Sequence, residues 1–129
     1  MDTAKPFPAR GARFWLPLVA WCGLIFFLSS RPHLDLQHVT PWFPYSDLLD
    51  TPLRKLAHVA EYAVLYLLAR RGWPSGRSWL FCLAYACSDE WHQTFVPGRA
   101  GRVSDVVIDA AAAALPLAWS HIKELLRRA

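Results

Sequence analysis

Charged side chains are scarce in this sequence. Asp, Glu, Lys and Arg make up 19% of its 129 residues, while hydrophobic residues make up 54%. A typical soluble domain carries about 25% charged residues, so the shortfall argues against an ordinary water-facing fold and toward lipid. Cysteine is scarce as well. Cys22, Cys82 and Cys87 all lie in apolar segments. An odd count at spacings that match no zinc or thiol-redox motif argues against a disulfide framework, and the three read as small packing residues. There is no internal repeat, and no low-complexity stretch beyond a short proline-containing N-terminus. No nucleophile motif and no dense metal-ligand pattern stands out. The length allows a single domain, 1–129.

The net charge is +4, which in a soluble protein would point to nucleic acid. Here the basic residues cluster at the ends of apolar runs, where they act as topology signals, and no nucleic-acid partner is expected. Four runs are long enough to matter. Phe14 to Ser30 contains no charge and follows Lys5, Arg10 and Arg13. It exceeds the usual apolar region of a signal peptide and lacks an A-x-A-like cleavage site, so it reads as an uncleaved first helix. Pro52 to Ala69 is the second run, with Thr51 as its expected cap and Pro52 at the first helical position. Ser78 to Val96 and Val103 to Ile122 are the third and fourth. Each is near the ~20 residues that cross a bilayer core, and backbone groups in lipid require helices.

The sequence therefore predicts an all-α polytopic membrane bundle of four spans. With both termini cytoplasmic, nine of the 14 basic residues fall inside: Lys5, Arg10, Arg13, Arg70, Arg71, Arg77, Lys123, Arg127 and Arg128. Arg31, Arg54, Lys55, Arg99 and Arg102 fall outside, in keeping with the positive-inside bias. The outer segment from Arg31 to Thr51 holds "PWFPYSDLLD", whose aromatics suit the membrane surface. Trp15, Trp73, Trp79, Trp91 and Trp119, near segment ends, read as interface anchors.

Against this background one stretch is anomalous. "SDEWHQTFVPGRAGRVSD", Ser88 to Asp105, places acids, arginines, a histidine and a glutamine between two apolar segments. The four-span topology puts them near the outer ends of helices three and four, joined by the turn "PGRAGR". It also puts Lys55, His58, Glu61 and Tyr62 in the outer half of helix two. Residues three or four apart share a helix face. Lys55, His58 and Glu61/Tyr62 form one stripe, Asp89, His92 and Gln93 another, and Asp105 and Asp109 a third, continued by the small Ala112 and by Pro116. Ionisable groups at membrane depth are expensive and mark functional sites. The plain alternative also stands: Arg99 and Arg102 could pair with Asp89, Glu90 or Asp105 to lock the hairpin, and His58 with Glu61 could form an interhelical hydrogen bond.

Two blocks carry a family resemblance. "RKLAHVAEYAVLYLLAR", Arg54 to Arg70, has the pattern basic-x-x-His-x-x-Glu-Tyr leading into a leucine-rich helix. "SDEWHQTFVPGRAGRVSDVVID", Ser88 to Asp109, has Asp-Glu-x-x-Gln-x-x-x-Pro-Gly-Arg followed by paired acids. Together, in this order, they resemble the VanZ-like family of small bacterial integral membrane proteins, named after a member linked to low-level teicoplanin resistance. The resemblance singles out Lys55, His58, Glu61, Tyr62, Asp89, Glu90, Gln93, Pro97, Gly98, Arg99, Asp105 and Asp109. Ala112 and Pro116 depart from it, standing where relatives often show glycine.

The resulting expectation is a protein of the bacterial cytoplasmic membrane with an outward-facing polar pocket. The pocket would be built from Lys55, His58, Glu61, Tyr62, Asp89, Glu90, Gln93, Arg99, Arg102, Asp105 and Asp109. It would bind a lipid-linked envelope precursor or an anionic lipid, the arginines being suited to phosphate. If chemistry occurs, Glu90 or Glu61 is the candidate base and His58 the candidate proton carrier. No cofactor is expected, although Asp89, Glu90, Asp105 and Asp109 are oxygen ligands of the kind magnesium or calcium takes. The competing readings are a non-catalytic scaffold whose charged network is structural, and a proton-coupled transporter.

Overall fold

Helix is dictated wherever apolar residues run without interruption, and four helices account for nearly all the residues described. The structure, a computed structural model, describes residues 11–31 and 47–128, with the backbone alone for 47–51, 53 and 54. The helices are α1 (Ala12–Ser29), α2 (Asp47–Arg70), α3 (Ser75–Gln93) and α4 (Val103–Arg128). Among the described residues there is no strand, and the fold is all-α. The expected surface segment "PWFPYSDLLD" and the basic residues Lys5 and Arg10 lie largely or wholly outside the described residues.

The boundaries depart from the sequence reading in instructive places. α2 begins at Asp47, so Pro52 sits inside the helix and Thr51 is not its cap. A proline near the start of a helix removes a single i→i−4 bond, and the following residues to Arg70 propagate the helix past it. α3 begins three residues early and ends at Gln93. Beyond it Thr94, Phe95 and Val96 donate to carbonyls three residues back, at 3.2, 3.0 and 3.1 Å, the tightened turn common at helix ends. α4 runs to Arg128, past the apolar stretch, and its last turns hold an Arg128–Glu124 ion pair at 2.9 Å.

α1 shows what kind of molecule this is. Phe14, Leu18, Ile25 and Ser29 face the bundle and are buried, while Leu16, Val19, Phe26 and Phe27 are more than half exposed. Large apolar side chains also cover the outer faces of α2, α3 and α4, among them Leu67, Leu80, Val107, Leu115 and Ile122. By length and composition α1 and α4 can cross a membrane. α2 and α3 carry Lys55, Glu61 and Arg70, and Arg77, Asp89 and Glu90 respectively, and fall outside that test.

The helices alternate in direction. Phe14 at the start of α1 meets Trp73 in the α2–α3 turn, with ring centroids 5.3 Å apart, while Ser29 at its end reaches Asp89 near the end of α3. α4 packs most closely on α2 and then on α3, and α1 lies against α2 and α3 without touching α4. Ala112 and Ala113 are buried in the core, and their small side chains let α4 approach its neighbours closely.

Three aromatic donors stitch the helices together. Trp21 Nε1 of α1 donates to the Glu61 carbonyl of α2 at 2.9 Å, and Trp79 Nε1 of α3 to the Ala110 carbonyl of α4 at 3.0 Å. Tyr85 of α3 donates to the Cys22 carbonyl of α1. Trp79 is therefore a half-buried helix–helix contact rather than a surface anchor, and Trp73 packs among Phe14, Trp15 and Phe81. Trp91 and Trp119 are exposed. Cys82 belongs to the core, but Cys87 is exposed and is not a packing residue.

Candidate functional site

The α3–α4 turn is shaped by two glycines. Arg99 N–H donates to the Val96 carbonyl at 3.1 Å, closing a turn with Pro97 second and Gly98 third. Gly98 has φ 79°, the left-handed conformation that a type II turn requires at that position. At Gly101 a side chain would collide with the Glu90 backbone carbonyl and approach Thr94 Cγ2 to 2.8 Å. With no side chain there, the turn folds back onto α3, and the Arg102 N–H reaches Glu90 Oε2 at 2.9 Å. Glu90 thus ties the hairpin through the backbone of Arg102, whereas the sequence suggested its guanidinium.

Folding the turn back leaves a cavity of about 350 Å³ between α2, α3 and α4 at one end of the bundle. Lys55 and His58 come from α2, Glu90 and Gln93 from α3, Arg99 and Arg102 from the turn, and Asp105 and Asp109 from α4. Gly98, Ala100 and Ile108 complete the lining. Three of the helices and both predicted blocks meet here.

At its floor, His58 Nδ1 lies 3.6 Å from Asp109 Oδ1 and 4.0 Å from Glu61 Oε2. Both separations exceed a good hydrogen bond, so the imidazole lies between two carboxylates without being locked to either. Asp109 is 1% exposed, and its Oδ2 has no hydrogen-bond partner. At the mouth, Lys55 and Arg102 are exposed and make no ion pair among the described residues.

Three expected site residues stand apart from the lining. Asp89 is buried, and its Oδ2 accepts from Ser29 Oγ at 2.8 Å and Gln93 Nε2 at 3.2 Å, so it joins α1 to α3. Tyr62 is fully buried, its hydroxyl without a partner, and Glu61 is near His58 but outside the lining. His92 packs on Phe26, with ring centroids 4.4 Å apart. Ser29 went unnoticed in the sequence because a serine ending an apolar helix gives no sign of its partner.

Among the described residues no three His, Cys, Asp or Glu side chains come together in a way that would hold a metal ion. The four acids proposed as oxygen ligands have different neighbours: Asp89 faces Ser29, Glu90 the Arg102 amide, Asp105 the Ser104 hydroxyl and Asp109 His58. Among the described residues the lining contains no serine, threonine or cysteine. The arrangement is suited to holding a charged group and moving a proton, and among the described residues its lining offers no hydroxyl or thiol nucleophile.

A family model described as VanZ/LLP1 matches residues 14–123. The chain belongs to the VanZ/LLP1 family. The match reaches into all four helices and includes every described residue that lines the cavity. No curated protein and no solved structure matches the chain.

Proposed function

We propose that this VanZ-like protein is a multi-pass component of the bacterial cytoplasmic membrane, with four spans and both termini in the cytoplasm. In this reading its outward-facing cavity binds the phosphate of a lipid-linked or otherwise anionic envelope component. The observation that carries it is the cavity itself, with Lys55, Arg99 and Arg102 in its lining. Its volume is at the lower end for small-ligand sites, about 300–1,000 Å³, and suits a headgroup better than a whole lipid. Arginine forks match phosphate oxygens, and a group held there would lie near the membrane surface. Binding of a wall precursor at this position is the route by which such a protein would alter susceptibility to a glycopeptide such as teicoplanin.

The test is lipid retention on the purified full chain. Native mass spectrometry should find a phosphate-bearing lipid on the wild type and lose it in the Lys55→Gln/Arg102→Gln pair. Both side chains are exposed, so thermal stability should hardly change. Equal retention by the double variant would sink the binding reading.

A structural reading has specific support in the Glu90–Arg102 and Asp89–Ser29 bonds, which hold the hairpin and α1 in place. It accounts for those two acids. It leaves Lys55, Arg102 and Asp105 around an open cavity without a reason.

A further inference from the structure

The cavity wall is not uniformly positive. Lys55, Arg99 and Arg102 share it with Glu90, Asp105 and Asp109, and the acids differ in how well they are satisfied. Glu90 Oε2 has the Arg102 amide at 2.9 Å. Among the described residues Asp105 has a single, long contact, from Ser104 Oγ at 3.4 Å. Asp109 has His58 at 3.6 Å on Oδ1, and nothing on Oδ2 although it is 1% exposed. Buried acceptors without donors are costly and uncommon. A purely anionic occupant would supply no cation and would bring like charge toward both aspartates.

The charges are also ordered along α4. Arg102 precedes the helix, Asp105 stands in its first turn and Asp109 one turn deeper, about 6 Å further along the axis by the helical rise. Cation and acids thus form a gradient from mouth to floor, which a ligand of one sign cannot match at both ends.

Building on the phosphate-binding reading above, we propose that the occupant is zwitterionic: a phosphate ester carrying a protonated primary amine on a short spacer, of the phosphoethanolamine type. The phosphate lies against Lys55 and Arg102. The ammonium enters between Asp105 and Asp109 and donates the hydrogen bonds those carboxylates lack. A quaternary amine has the same charge but no N–H, and a phosphoglycerol has no cation, so both are poorer fits.

Full-length protein in detergent or nanodiscs is titrated with phosphatidylethanolamine, phosphatidylcholine and phosphatidylglycerol, with binding read by native mass spectrometry and thermal shift. The ethanolamine lipid should bind about tenfold or more tightly than either of the others, the scale of one lost charge-assisted hydrogen bond. Asp105→Asn, at a half-buried position, should shrink that preference, and Asp109→Asn should do so more strongly where it folds. Competition by soluble phosphoethanolamine identifies the source: displacement of the lipid points to the free headgroup, and its absence to the membrane-anchored form. Equal binding of the ethanolamine and choline lipids would overturn the proposal. Phosphatidylglycerol binding as well as or better than the ethanolamine lipid would overturn it while leaving the phosphate-binding reading intact. Binding of none of the three would also overturn it, leaving the phosphate-binding reading to the lipid-retention test above.

Discussion

Gly101 occupies a place no other residue can take without moving the hairpin. A methyl group there would meet the Glu90 carbonyl, which belongs to the α3 backbone and cannot swing aside as a side chain would. Gly101→Ala should therefore lower stability by roughly 1–3 kcal/mol, the usual range for overpacking, and empty the cavity of any ligand. Gly76→Ala is the control. That glycine lies in α3 with open space around it, so alanine there should be neutral or stabilise by up to about 1 kcal/mol. Thermal unfolding of the two variants in the same detergent checks the pair. Much of the site was legible at this scale because ionisable residues in an apolar chain are anomalies. His58, Glu90, Arg99 and Asp109 attract notice for that reason alone. Backbone partners were not legible: nothing in the letters says that Glu90 takes the amide of Arg102, or that Ser29 serves Asp89.

Between helices, the stitching is done by indole and hydroxyl groups reaching backbone carbonyls and a buried carboxylate. Ser29→Ala would remove one of two donors from Asp89 while keeping the helix apolar. The expected cost is about 1–3 kcal/mol, that of a buried acceptor losing a partner, with α1 detaching from α3 first. A disulfide engineered across the α1–α3 contact should restore most of that loss, whereas one between α2 and α4 should not. Trp79→Phe should cost less, about 0.5–1.5 kcal/mol for a neutral hydrogen bond with most of the ring retained. Trp79 sits near a helix start, and tryptophan there ordinarily marks a membrane surface. The same position serves packing when the neighbouring helix is close enough to offer a carbonyl. The helices themselves were legible from apolar run length. Their ends were not, because Pro52 reads as a start and lies inside α2, and because α4 continues past its apolar stretch as a polar helix.

For the molecule as a whole, the decisive property is that apolar side chains line both its interior and its exterior. In the proposed four-span arrangement, the cavity end and the aromatic end, where Phe14, Trp15 and Trp73 meet, would belong to opposite surfaces. In a background with Cys22, Cys82 and Cys87 replaced by serine, a cysteine at Ala100 should react with an impermeant reagent only from outside intact cells. One at Gly76 should react only after the cells are opened. The reverse pattern would invert the proposed orientation and leave the bundle itself unaffected.

The pairing of α2 with α4 bears on how the chain is made. Synthesis delivers α2 well before α4, so His58 emerges from the ribosome without Asp109 and must wait in an unfinished assembly. A chain that stops short of Asp109 never acquires that partner and leaves a polar face unmatched. Truncation there should produce a species cleared by quality-control proteases, even though most of its helices have already formed.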